Sequence, residues 1–172
     1  MSESPRDIIW EKIFYTHYYT FFYEQVAIKL IRRWQISHDV SRIIIAITAS
    51  GTGISGWALW KNSIGVYTWA VIMGAAAVSS IIYAVWDVSA KIKDWTEVKN
   101  DCINLRIELE IMRDKMLIDK DFPVETYQSM LVEFKKRYGE IRKRIKQDFF
   151  LTKDVNNKAK SIADNNIENY KK

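Results

Sequence analysis

The sequence is poor in the residues on which most active sites and disulfide frameworks depend. It has one cysteine, Cys102, so no intramolecular disulfide can form, and its two histidines, His17 and His38, have no matching set of metal-ligating or catalytic neighbours. It also has no glycine-rich phosphate loop, no paired-carboxylate motif and no nucleophile elbow. We therefore expect a protein that is not an enzyme and that binds neither a metal nor an organic cofactor.

Charge is missing from the middle of the chain. Residues 43–60 and 62–86 have no charged side chain, and Lys61 alone separates them. As helices these segments would measure about 27 Å and about 37 Å, against a hydrocarbon core of about 30 Å. A soluble helical hairpin of this length would need more apolar surface to cover it than so small a protein offers. The pattern predicts two transmembrane helices, at about 43–60 and 64–86.

Basic residues flank both outer ends of this hairpin. Arg32, Arg33 and Arg42 precede the first predicted span, and Lys91 and Lys93 follow the second. The positive-inside rule then places both termini in the cytoplasm. The polar N-terminus offers no signal-peptide core, so the first span should itself direct insertion into the cell inner membrane.

The predicted fold class is an all-α membrane protein. Its first helix should open with Ser4 as the N-cap and Pro5 in the first position. This aromatic helix either lies in the membrane interface or packs against the other cytoplasmic helices. The predicted parts are an N-terminal amphipathic helix (1–36), a transmembrane hairpin (37–90), an antiparallel cytoplasmic helical hairpin of coiled-coil character (91–150) and a weakly ordered tail (151–172).

The segment after the hairpin has the apolar spacing of a coiled coil. The second span should continue as one rod to about Asp119, and Pro123 should then take the first position of the next helix. Apolar residues of that helix alternate steps of four and three, which predicts a seam used either within the chain or between subunits. The seam residues are Leu131, Phe134, Tyr138, Ile141 and Ile145.

Small and hydroxyl-bearing residues are frequent in both spans. Glycines allow helix backbones to approach closely, either within one hairpin or in a homo-oligomer, and the packing candidates are Gly53, Gly56 and Gly74. Hydroxyl groups in a span either line a pore or bond to their own helix backbone. The pore-lining candidates are Thr48, Thr52, Ser55 and Ser79.

A basic run near the end of the seam helix offers a contact with lipid. If this helix returns antiparallel to the rod, its last residues approach anionic headgroups. A solvated helix face is the alternative, and nucleic acid is disfavoured because neither aromatic interleaving on that face nor a binding motif is evident. The headgroup-binding candidates are Arg142, Lys143, Arg144 and Lys146.

The order of these elements resembles that of a known family. A helix running from Ile13-Phe14-Tyr15-Thr16 to Arg32-Arg33-Trp34 is followed by a two-span hairpin and a long cytoplasmic helix. This layout, over about residues 8–118, is similar to that of the SLATT family of two-span proteins from bacterial nucleotide-signalling conflict systems. The helix from Pro123 to Phe150 departs from the family pattern.

The resemblance implies an antiviral membrane effector that oligomerises and breaches the inner membrane, which kills or arrests the host cell. In that family the sensor or second-messenger domain often resides in a separate protein, which would be this chain's partner besides membrane lipid. The rival interpretation is a non-conducting scaffold or adaptor whose cytoplasmic bundle recruits a protein.

Overall fold

The computed structural model describes residues 4–51, 63–119, 121, 123–145 and 148–170. Within these residues the secondary structure is helical, with no strand, so the prediction of an all-α fold is confirmed. The helices are α1 (Pro5–Gly51), α2 (Ser63–Trp86), α3 (Val88–Ile118), α4 (Val124–Arg144) and α5 (Lys153–Tyr170).

The chain divides into two compact units. The first unit consists of Met1–Ile31 and Asp94–Lys172, and the second is the intervening segment Arg32–Lys93. Helix α1 belongs to both, because it continues from Pro5 to Gly51 without a break. The predicted N-terminal helix and the start of the predicted first span are therefore one continuous helix.

Helices α3 and α4 lie antiparallel in the first unit. The hydroxyl of Tyr127 donates a hydrogen bond to Asp119, and Arg137 and Arg144, further along α4, bond to Glu108 and Asp101, respectively. The partners on α3 thus move backwards along the chain as the residues on α4 advance. Only an antiparallel arrangement gives this order.

Helices α1 and α5 complete a four-helix bundle. Arg6 bonds to the backbone carbonyl of Met116, and His17 lies 3.1 Å from Glu110, so α1 is also antiparallel to α3. The hydroxyl of Tyr18 donates to Asp164 of α5 at 2.7 Å. Within the aromatic part of α1, Tyr18 contacts α5 in this way, whereas Tyr15 and Tyr19 are exposed.

The bundle core consists of apolar stripes with coiled-coil spacing. Each large side chain removed from water contributes roughly 1.5 to 3 kcal/mol, so a stripe of several is the main source of stability. The stripe of α3 is buried throughout and consists of Trp95, Val98, Cys102, Leu105, Leu109, Met112 and Met116. The buried stripe of α1 within this unit includes Ile9, Ile13, Thr16, Thr20, Glu24, Ala27 and Leu30.

Two helix starts agree with their local chemistry. The hydroxyl of Ser4 accepts the backbone N–H of Asp7, and the Asp7 carboxylate accepts the N–H of Ser4, which confirms the predicted N-cap. At α4, Pro123 is the N-cap residue, whereas the prediction placed it at the first helical position. The missing N–H of Pro123 costs nothing there, because the first N–H groups of a helix have no intrahelical partner.

The predicted continuous rod is interrupted at Asp87. This residue has a φ of 37°, in the left-handed region that aspartate tolerates better than most residues. Its carboxylate accepts the backbone N–H of Ala90 at 3.1 Å and so caps the start of α3. The prediction of one helix through this point was wrong because it overlooked an N-cap residue between two helical patterns.

The C-terminal segment is also more ordered than predicted. The prediction of a weakly ordered tail over 151–172 was wrong, because Lys153–Tyr170 forms α5. Its buried face consists of Val155, Ala159 and Ala163, each at most 1% exposed. This stripe is narrow and made mostly of alanine, so the apolar signal in the sequence is weak although the packing is close.

The second unit contains the two predicted spans only in part. Residues 52–62, which include the second half of the first predicted span, lie outside the described residues. Within the ranges that are described, no helix meets the combined requirement of length and apolar character for crossing a membrane.

Candidate functional site

Most of the α2 side chains that the structure describes are apolar and exposed, apart from a half-buried stripe of Trp69, Ile72 and Ala76. Ile64, Val71 and Val78 are 74%, 72% and 57% exposed, and Ile81 is 62% exposed. Of the α2 side chains that the structure describes, Gly65 alone is buried. A helix that is apolar around its whole circumference is normally covered by other protein or by lipid, so this surface is the strongest candidate for an interaction site.

The part of α1 in the second unit presents a similar surface. Ile36, Val40 and Ile43 are 54%, 49% and 58% exposed, although Trp34 in the same part of α1 is buried. Arg32 and Arg42, which are exposed, lie beside this apolar stretch. The second unit thus combines exposed apolar side chains with basic residues near its ends.

The predicted pore-lining and packing residues fall mostly outside the described part. Thr52, Ser55, Gly53 and Gly56 lie outside it entirely, and the side chains of Thr48 on α1 and Ser79 on α2 do as well. Gly74 is described and exposed, and a methyl group added there would meet nothing within 4 Å. The single chain therefore places no second helix against Gly74.

Hydroxyl groups of α2 that the structure describes bond to their own helix. Thr68 donates to the carbonyl of Ile64 at 2.9 Å, and Ser80 donates to the carbonyl of Ala77 at 2.8 Å. Such bonds satisfy a hydroxyl without a water-filled path. Two hydroxyls of the second predicted span thus follow the alternative to pore lining.

The predicted seam of α4 lies inside the first unit. Leu131, Phe134 and Ile141 are buried, and the ring of Tyr138 has its centroid 6.1 Å from that of Tyr23 on α1. Ile145 follows the last helical residue and is half-buried. The seam is therefore used within one chain.

The basic run of α4 is partly neutralised by acidic residues of α3 and by Glu140 of α4 itself. Arg144 bonds to Glu97 at 3.1 Å and to Asp101, and Lys143 pairs with Glu140 at 2.9 Å. Of the other headgroup-binding candidates, Arg142 is exposed and Lys146 lies outside the described residues. The pairing of this run with acidic residues of α3 has no local signal in the sequence.

A polar network crosses the interior of the first unit. Glu24 on α1 is 6% exposed and accepts a hydrogen bond from Nε of Arg106 at 3.1 Å. Arg106 also donates to Glu110 at 3.0 Å, and its guanidinium lies 5.7 Å from the ring centre of Phe21. This network was not predictable from the sequence, because Glu24 interrupts an apolar pattern and its partner Arg106 lies far along the chain.

Burial, hydrogen bonds and neighbouring charge together set the protonation states of His17 and Glu110. Desolvation lowers the pKa of His17, although its bond to Glu110 opposes the shift. Burial by itself would raise the pKa of Glu110, but the hydrogen bond to His17 and the charge of Arg106 lower it overall. His17 is therefore neutral at pH 7 and donates its Nε2–H to an ionised Glu110.

We expect the first unit to lose stability as the pH falls below about 6.5. Unfolded His17 binds a proton at its ordinary pKa of 6.5, whereas the folded state lowers the pKa of both His17 and Glu110. At acidic pH the unfolded state therefore binds more protons than the folded state. The free energy of unfolding falls as the pH decreases, until the pH is below the pKa values of the folded state. His17→Gln should reduce the slope of unfolding free energy against pH, measured by urea denaturation. An identical slope in the variant would contradict this account.

Potential metal ligands and the single thiol are arranged as follows in the described part of the chain. No group of three or more histidine, cysteine, aspartate or glutamate residues is placed there to hold a metal ion. Cys102 is buried, and burial raises the pKa of its thiol to about 12, so it is not a reactive nucleophile.

No protein-family model, curated protein or solved structure matches this chain.

Proposed function

We propose that this chain is a membrane effector of a bacterial anti-phage defence system. Its second unit would insert into the inner membrane as a two-span hairpin with both termini in the cytoplasm. Copies would then assemble into a pore or otherwise perturb the bilayer, causing cell death or growth arrest. The many exposed apolar side chains of α2 are the observation that carries the proposal.

Contact with lipid accounts for this surface better than contact with water. Leaving a large aliphatic side chain exposed forgoes roughly 1.5 to 3 kcal/mol, and α2 does so at Ile64, Val71, Val78 and Ile81. A water-facing helix would carry charged residues on one side, but α2 has none from Ser63 to Trp86. Lipid favours a helix that is apolar all round.

The ends of the second unit fit this environment. The unit begins at Arg32 and ends at Lys93, and its loop side has Lys61 alone. Basic residues are retained on the cytoplasmic side of inner-membrane proteins. The bundle of the first unit would therefore lie in the cytoplasm, where it could meet a sensor protein.

Assembly of several copies follows from the size of the hairpin. Two helices cannot enclose a water-filled path, whereas several hairpins can. Gly74 faces open space in the single chain, which leaves room for the close approach of a helix from another copy. The resemblance to the SLATT layout supports the same function.

The alternative is a non-conducting membrane scaffold that recruits a protein through the first unit. Thr68 and Ser80 favour it, because their hydroxyls bond to the backbone of α2 and need no water. In this case the hairpin would be an anchor and the four-helix bundle the functional part.

Dye release from liposomes separates the two functions. The reconstituted wild-type chain should release trapped dye, and Gly74→Leu should reduce the release about tenfold by blocking close helix contact. Ala75→Leu is the control, because it adds the same side chain to the neighbouring exposed position on a different face of α2. Absent release, or release unaffected by Gly74→Leu, would favour the scaffold.

A further inference from the structure

The first unit contains a cavity that the proposed membrane function does not use. It has a volume of about 580 Å³ and lies between α1, α3 and α5. Small-molecule sites in proteins usually measure about 300 to 1,000 Å³ and are mostly apolar, with a few polar groups that orient the ligand. The size of the cavity is therefore that of a ligand site.

Two apolar walls give the cavity its shape. Trp10 and Phe14 lie one turn apart on α1 and form an aromatic wall, and Leu109 and Leu117 lie two turns apart on α3. Ile167 of α5 closes a further side. Aromatic rings pack well against flat ring systems in offset or edge-on arrangements, so these walls favour a planar, apolar ligand.

Two of the three charged residues that line the cavity, Glu110 and Arg113, already have partners of opposite charge. Glu110 accepts bonds from His17 at 3.1 Å and from Arg106 at 3.0 Å, and Arg113 donates to Asp114 at 3.1 and 2.9 Å. Glu11, which also lines the cavity, is exposed to solvent. An ionic ligand would lose hydration here and would compete with existing ion pairs for a counter-charge.

We propose that this cavity binds an uncharged, mostly apolar small molecule that has a planar ring system and one hydrogen-bonding group. The ring system lies between Trp10 and Phe14 on one side and Leu109 and Leu117 on the other. Its polar group faces the pair formed by His17 and Glu110. The whole site belongs to the first unit, so the proposal stands independently of membrane insertion.

A matched series of naphthalene compounds tests the ligand class. The probes are 2-naphthol, which is neutral at pH 7, 2-naphthoate, which is an anion, and 2-naphthylmethylamine, which is a cation. Binding to the full chain is measured by calorimetry and by ligand-observed NMR. We expect 2-naphthol to bind saturably and at least about tenfold more tightly than either ion. Equal or tighter binding of an ion, or no saturable binding of 2-naphthol, would overturn the proposal.

Two neighbouring variants locate the binding. Leu117→Trp places a large side chain in the cavity wall at a position that is 63% exposed, whereas Ile118→Trp makes a similar change at an 80% exposed position outside the lining. We expect the first variant to weaken 2-naphthol binding about tenfold and the second to leave it unchanged. Equal effects of the two variants would refute this location. A drop in molecular mass by light scattering in Leu117→Trp alone would indicate that a second copy occupies the cavity, which would also overturn the proposal.

Discussion

Replacing Ile141 by aspartate should lower the free energy of unfolding of the first unit by about 4 kcal/mol. Ile141 is 5% exposed and belongs to the seam of α4. The variant loses the burial of a large side chain, roughly 1.5 to 3 kcal/mol, and introduces a carboxylate that must be desolvated or protonated. Denaturation followed by circular dichroism measures the change.

Val132 on the same helix provides the control. It is 62% exposed, so Val132→Asp should change the unfolding free energy by no more than about 0.5 kcal/mol. If Ile141→Asp left stability unchanged and instead reduced the size of a multi-chain complex, the seam would act between subunits. That result would contradict the packing within one chain described here.

The buried ion pair between Glu24 and Arg106 should show strong coupling. Arg106→Leu leaves a carboxylate that is 6% exposed without its main partner, and it should cost about 2 to 3 kcal/mol. This cost is smaller than for a fully buried pair because the Arg106 side chain is 26% exposed. Adding Glu24→Leu removes the stranded charge, so the double variant should recover most of this loss.

A double-mutant cycle measures this coupling directly. The free energies of unfolding of the wild type, both single variants and the double variant give the interaction between the two side chains. If the double variant were as unstable as the sum of the single variants, the two residues would contribute independently. Strong coupling between Glu24 and Arg106 would then be ruled out.

The coiled-coil core was predictable where large apolar residues keep a regular spacing. The seam of α4 and the stripe of α3 are examples. Leu105, Leu109 and Phe134 are large apolar residues, and their side-chain type alone predicts that they are buried. The N-cap at Ser4 was equally predictable, since a hydroxyl just before the first helical turn can accept a backbone N–H that has no other partner in the helix.

Other features depend on contacts that the sequence does not display. The buried face of α1 includes Thr16, Thr20 and Glu24, which become core residues only because Arg106 and the helix backbone satisfy their polar atoms. A count of apolar residues at helical spacing therefore finds fewer buried positions in this stripe than the structure has. Ion pairs between distant segments have no local signal, so the bonds from Arg144 to α3 were not anticipated.

The central claim, that lipid covers the second unit, is tested most directly by thiol labelling in membrane vesicles. Cys102 gives a low background because it is buried and burial raises its pKa to about 12. Val71→Cys places a thiol at a position that is 72% exposed in the single chain, and Asn104→Cys places one on the exposed side of α3.

A charged, membrane-impermeant maleimide is added to inside-out vesicles, in which the cytoplasmic face is accessible. The account predicts that Asn104→Cys reacts rapidly and that Val71→Cys reacts only after the chain is denatured, since a lipid-covered thiol is neither ionised nor reachable. Equally rapid labelling of Val71→Cys in intact vesicles would show that water surrounds α2 and would contradict the account.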